Sequence, residues 1–195
     1  MSLKNLLVLF GTTLLIGMAA GILAGLGLQL TDQDFHFFGS AVGFNLFEMA
    51  LAGMMFAMFS LMGLFAYLTL NYIAVGILGQ KFWWNLLQLF LTIVILVNAG
   101  FYRYIYFAGT AQAADFIFPA IVLALTILVA YWKVKMTNKT AWIPTLFFMS
   151  AITILESMPA LRMDNAASLL FMSVPLFACN AWQILRLHKL VRSRA

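Results

Sequence analysis

Thirty consecutive residues, Met49 to Leu78, carry no charge, and Ser60, Thr69 and Asn71 are nearly their whole polar content. About 20 apolar residues in a helix cross the hydrocarbon core of a bilayer, so a run of this length exceeds one upright span. A soluble fold would have to hide the run in a core. A chain of 195 residues cannot, because small domains keep a large share of their surface exposed. The run is not alone: 65% of the chain is hydrophobic and 9% charged, against roughly 25% charged in an ordinary globular domain. Lipid is the solvent that such a composition calls for.

Six segments reach or approach spanning length, at about 4–30, 45–72, 81–107, 115–136, 140–158 and 165–188. They predict an all-α, polytopic bundle forming one membrane domain. The first apolar stretch, Leu6 to Leu30, is longer than a signal-peptide core of about 7–15 residues and reads as a retained span. Asn71 and Gly76–Gly79 are the expected break after the second span, which places 73–80 at the interface. Pro119 and Pro144 fall near the first turns of their helices, where a missing N–H costs little. Pro159 closes the fifth span, and Pro175 lies inside the sixth and should kink it.

The charges orient the bundle. With six spans and the N-terminus inside, Lys4, Lys81, Lys133, Lys135, Lys139, Arg186, Lys189, Arg192 and Arg194 are cytoplasmic, and only Arg103 and Arg162 are outside. Nine against two is a strong positive-inside bias. All six acidic residues, Asp32, Asp34, Glu48, Asp115, Glu156 and Asp164, fall on the outer half. The reading is therefore a multi-pass protein of the cell membrane with both ends inside. The net charge of +5 sits singly or in small groups at span ends, where it meets lipid headgroups. Nucleic acid is not an expected partner. Trp83, Trp84, Tyr131, Trp132 and Trp142 mark the inner boundary, and Tyr102, Tyr104 and Tyr106 the outer one.

Three features stand out within the spans. Gly17, Gly21 and Gly25 form a Gly-x-x-x-Gly-x-x-x-Gly stripe on the first helix, where another backbone can approach closely. It serves either packing inside the bundle or a homodimer face. On the third helix, Asn85, Gln88, Thr92 and Arg103 fall within about 60° of one another at 100° per residue, while Asn98 lies off that face. Such a stripe is either hydrogen-bonding glue or the wall of a polar cavity. Glu48, Arg103 and Glu156 compensate in sign near the outer ends, with Arg162 and Asp164 close by. A charge deep in a bilayer costs about 2.5 kcal/mol or more, so a Glu–Arg–Glu cluster is expected, serving as a structural tie or an external ligand site.

Signals for chemistry are sparse. His36 and His188 lie on opposite sides of the membrane, and the one cysteine, Cys179, sits in an apolar run. No metal, nucleophile-elbow or phosphate-loop motif occurs, so no catalytic residue and no cofactor are assigned. An enzyme using the outer carboxylates Glu48 and Glu156 remains an alternative.

Several short stretches resemble one known family. They are Asn5-Leu6-Leu7 and Gly11–Gly17 in the first helix, and Gly63-Leu64-Phe65-Ala66-Tyr67-Leu68-Thr69 in the second. Trp84–Leu89 and Phe101-Tyr102-Arg103-Tyr104 in the third complete the set. In order and spacing they resemble the KinB-signalling pathway activation family (KbaA), small multispanning proteins of endospore-forming bacteria, over about the first 110 residues. The resemblance implies a regulator that activates a membrane sensor histidine kinase feeding the sporulation phosphorelay. It brings no catalytic motif, and its matching polar positions are Asn85, Gln88 and Arg103. The expectation is a non-enzymatic regulator that touches a membrane kinase through helix faces. A small-molecule or lipid binder, or a transporter, with a polar cavity in the outer half of the bundle is the alternative.

Overall fold

The computed structural model describes residues 3–31, 42–106, 113–163 and 165–192. No strand occurs among the described residues. The helices are α1 (Leu3–Thr31), α2 (Val42–Leu78), α3 (Lys81–Tyr106), α4 (Ile117–Met136), α5 (Trp142–Phe147), α6 (Thr153–Glu156), α7 (Met158–Leu161) and α8 (Ala166–Arg192). Short 3-10 turns precede α4 and α5, and a π turn, Phe148–Ile152, joins α5 to α6.

Five of these helices, α1, α2, α3, α4 and α8, are long and apolar enough to cross a membrane. The expected fifth span is not among them. Its residues are helical, but the 3-10 turn Lys139–Ala141, the π turn and the breaks at Ser157 and Arg162 divide them into short pieces. The Ser150 hydroxyl donates to the Leu146 carbonyl oxygen (2.6 Å) inside this stretch. Side-chain bonding back onto the preceding turn bends helices.

The expected break at Asn71 is corrected: α2 continues through Asn71 and Gly76 to Leu78. Its 37 residues amount to roughly 55 Å at 1.5 Å each. The helix ends at Gly79, whose φ of +65° is the left-handed geometry glycine supplies at helix C-termini. Gly79 N–H closes the end by donating to the Val75 carbonyl oxygen. Asn71 does not disturb the helix because its side chain is used elsewhere: Oδ1 accepts from Trp84 Nε1 (2.7 Å) and ties the α2–α3 hairpin together. Pro175 lies inside α8, which runs on to Arg192.

The chain divides into two compact units, Met1–Met62 with Met163–Ala195, and Gly63–Arg162. In the first, α1 packs along α8. Leu28, Met49, Ala167 and Phe171 form its core, flanked by Ile22, Ala24, Ala52 and Phe56. Phe56 and Phe171 meet edge to face at 5.8 Å. The side-chain oxygen of Asn165 accepts from Ala167 N–H (2.8 Å), which caps α8 as Asn does at helix starts. The glycine stripe of α1 lies against α2. A Cβ on Gly21 would fall 2.6 Å from the Met49 carbonyl oxygen and 2.7 Å from Gly53 Cα, and one on Gly17 would fall 2.5 Å from Ala57 Cβ. One on Gly25 would strike the Met49 side chain. The two backbones can approach this closely only because Gly53 answers the stripe with no side chain of its own.

The second unit holds the remainder of α2 with α3 through α7. Ala99, Val122 and Ile154 form a core cluster with Ile95, Leu96 and Phe118 around them. The Phe116 ring fills the space that a side chain at Gly100 would take and meets Phe101 edge to face at 5.2 Å.

The helices are polar inward and apolar outward. Gln88, Asn180, Gln183, Ser60 and Thr126 are fully buried, whereas Leu23 and Ile77 are 70% and 79% exposed. Water does not favour this arrangement, and hydrocarbon does, because polar side chains there seek protein partners. Hydroxyls in the helices fold back onto their own backbone: Thr13 onto Leu9, Thr92 onto Gln88, Ser157 onto Thr153.

Candidate functional site

Buried polar side chains form two groups, one in each unit. In the first unit, Ser60 of α2 donates from Oγ to Asn180 Oδ1 (2.8 Å) and accepts from Gln183 Nε2 (2.8 Å). Asn180 and Gln183 are three residues apart and so share one face of α8. Between them in the chain, Trp182 Nε1 donates to Thr12 Oγ1 (3.1 Å) and carries the Arg186 guanidinium over its ring at 4.3 Å. These bonds join α8 to α1 and α2. Their two-sided satisfaction is that of structural glue, although Gln183 Oε1 keeps no hydrogen-bond partner among the described residues.

In the second unit, Gln88 and Thr92 of α3 are buried, Asn85 is half-buried and Asn98 is exposed. Trp84, one turn before Gln88, is buried too. The Tyr67 hydroxyl of α2 faces the Gln88 amide. Even so, neither amide atom reaches hydrogen-bonding geometry with any described residue. Aromatic rings close the surroundings: Tyr67 lies 5.2 Å from Phe148 and 6.0 Å from Phe147, and Trp84 lies 6.4 Å from Phe147. The buried π turn thus packs against the residues beside Gln88. π turns inside helices recur at functional sites. A buried amide with both ends open has polar capacity that water or a ligand can take up.

The outer charged group is only partly placed. Glu48 lies on α2 in the first unit, half-buried, with Oε2 enclosed and without a hydrogen-bond partner among the described residues. Arg103 belongs to α3, but its side chain lies outside the described residues, as does Asp164. The expected Glu48–Arg103–Glu156 cluster depends on the Arg103 side chain and so lies outside the described residues. Glu156, at the end of α6, is half-buried beside Gly63 of α2. Arg162 is exposed, and its Nε donates to the Tyr102 hydroxyl (3.0 Å). On the glycine stripe, α2 of the same chain already occupies the face offered to a second copy.

Ser60, Asn180, Gln183 and Tyr67 escaped the sequence reading as parts of these groups. Asn180 and Gln183 carry the spacing of a helix face, which is the one local signal that could have marked them.

Residues 17–190 match the family model KbaA, described as KinB-signalling pathway activation in sporulation. The chain is also 38% identical, over 139 residues covering 70% of each chain, to the KinB-signaling pathway activation protein of Bacillus subtilis (strain 168). No solved structure matches.

Proposed function

This chain belongs to the KbaA family of KinB-signalling pathway activation in sporulation, and from that premise we propose that it is a membrane regulator activating a sensor histidine kinase upstream of the sporulation phosphorelay by helix–helix contact. The family's signalling role supports the kinase pathway. The observation that carries the mode of action is the outer surface. Leu15, Leu23, Met55, Met62 and Leu128 are all exposed and apolar, which offers helix faces to a partner. Gly17, Gly21 and Gly25, together with Gln88 and Thr92, face inward, so a partner would meet other side chains.

The same proposal places the protein in the cell membrane as six spans with both ends inside. The broken helical segment 139–161 would act as the fifth crossing. The nine-to-two distribution of basic residues supports this orientation. The regulator is non-enzymatic on this reading, in keeping with the family's signalling description.

Co-purification with the kinase in mild detergent, followed by crosslinking from single cysteines placed on the exposed faces, tests the contact. Crosslinks confined to one face support it. Kinase activation without any co-purification or crosslink at any face would remove direct contact.

The second reading is a binder of a small polar molecule, and the open amide of Gln88 favours it. Loss of signalling in Gln88→Leu with kinase association intact would support this reading over the first.

A further inference from the structure

A groove with a volume of about 550 Å³ lies between the end of α2 and the start of α3, lined by Leu78, Trp83, Leu86, Leu87 and Phe90. The four α3 residues stand at i, i+3, i+4 and i+7, one face of a helix. They are the outward counterpart of the buried row Trp84, Gln88 and Thr92. Leu78 joins them because the left-handed Gly79 ends α2 and lets α3 fold back beside it. From Trp83 to Phe90 the face extends roughly 10 Å at 1.5 Å per residue. That is most of one leaflet's share, about 15 Å, of the hydrocarbon core.

Two observations choose the occupant. Lys81 is exposed and stands in the chain three residues after Leu78 and two before Trp83, and no acidic residue occurs between Met49 and Ala114. The segment that joins the two walls is therefore locally positive. The walls are Leu, Trp and Phe without a small residue, whereas close approach of another helix favours Gly, Ala or Ser at the contact.

We infer that this groove is a binding site for an anionic phospholipid, one acyl chain lying along Trp83, Leu86, Leu87 and Phe90 and the phosphate held at Lys81. The lysine stem lies on apolar surface while its ammonium reaches the headgroup. The site is independent of the kinase reading, since it needs only a bilayer.

The full chain, reconstituted in vesicles with brominated acyl chains, tests the site through tryptophan quenching. The signal of interest is the part that disappears in Trp83→Phe. Brominated phosphatidylglycerol should quench it at about fivefold lower mole fraction than brominated phosphatidylcholine, the preference that one basic residue near an anionic surface provides. Lys81→Gln should bring the two lipids together with helical content unchanged. Leu87→Glu, at an exposed position, should weaken quenching by both. Equal quenching by both lipids in the unaltered chain would mean nonspecific lipid contact and overturn the site. So would a preference that survives Lys81→Gln, or no quenching of Trp83, which would mean that protein covers the face.

Discussion

The Glu156 carboxylate lies against the backbone of Gly63, in the space a side chain there would need. A Cβ on Gly63 would overlap Glu156 Oε1 and fall 3.1 Å from its Cδ and 2.9 Å from Ile152 Cγ2. The glycine thus admits an acidic side chain between α2 and α6 in the second unit. Gly63→Ala should destabilise the protein by about 1–3 kcal/mol, the usual cost of overpacking. Glu156→Ala should relieve part of that cost in the double variant, giving a coupling of about 0.5–3 kcal/mol. Thermal unfolding in one detergent reads all four proteins. Strict additivity would show that the two residues do not share the space.

The α1–α2 contact predicts a sharp contrast between glycines. Gly21→Leu and Gly53→Leu must push two backbones apart and should each lower stability by at least ~1–3 kcal/mol. Gly11 has nothing within 4 Å of an added Cβ, so Gly11→Ala should be neutral or slightly stabilising, as Gly→Ala is within helices. If Gly21→Leu unfolds no earlier than Gly11→Ala, the close approach is wrong.

The stripe on α1 was legible in the sequence because its period is local: three glycines four apart must share a face. Its partner was not, since Gly53 with Ala57 makes only one small-x-x-x-small step, a spacing common in spans. Of the polar stripe expected on α3, Gln88 and Thr92 are buried, Asn85 is half-buried, and the Arg103 side chain lies outside the described residues. Helix ends were legible where an apolar run stops, as at Thr31 and Met136, or where a residue type dictates them. Gly79 stops α2, whereas Asn71 suggested a stop from polarity alone, and its bond to Trp84 comes from the hairpin rather than from its neighbours. The π turn has no local signature, because four apolar residues and a serine read equally well as ordinary α-helix. Ser60 finds Asn180 and Gln183 across more than a hundred residues, and no periodicity encodes such a meeting.

That meeting has a measurable strength. Interhelical hydrogen bonds in membranes average about 0.6 kcal/mol and reach ~1.7 kcal/mol. Ser60 takes part in two, so Ser60→Ala should cost about 1–2 kcal/mol on that scale. Asn180→Leu should cost more than the loss of its bond to Ser60, because the leucine side chain differs in shape at a fully buried position. A double-mutant cycle on Ser60→Ala and Asn180→Ala in thermal unfolding isolates the pair. Zero coupling would mean that the hydroxyl and the amide do not bond.

Gln88 behaves oppositely if its amide is as open as the geometry indicates. A buried polar group without partners costs about 1–3 kcal/mol, and replacing it by an apolar group of similar size removes that cost. Gln88→Leu should therefore match or exceed the unaltered chain in thermal stability, while Gln88→Ala should fall below it by leaving a cavity. Sporulation signalling in the same variants separates stability from role. If Gln88→Leu is at least as stable yet signals poorly, the amide is held in the bundle for a ligand. If it is less stable by as much as Ser60→Ala, a buried water already satisfies the amide, and Gln88 joins the glue. Equal stability with full signalling would leave Gln88 outside both roles and remove the polar-cavity reading with it.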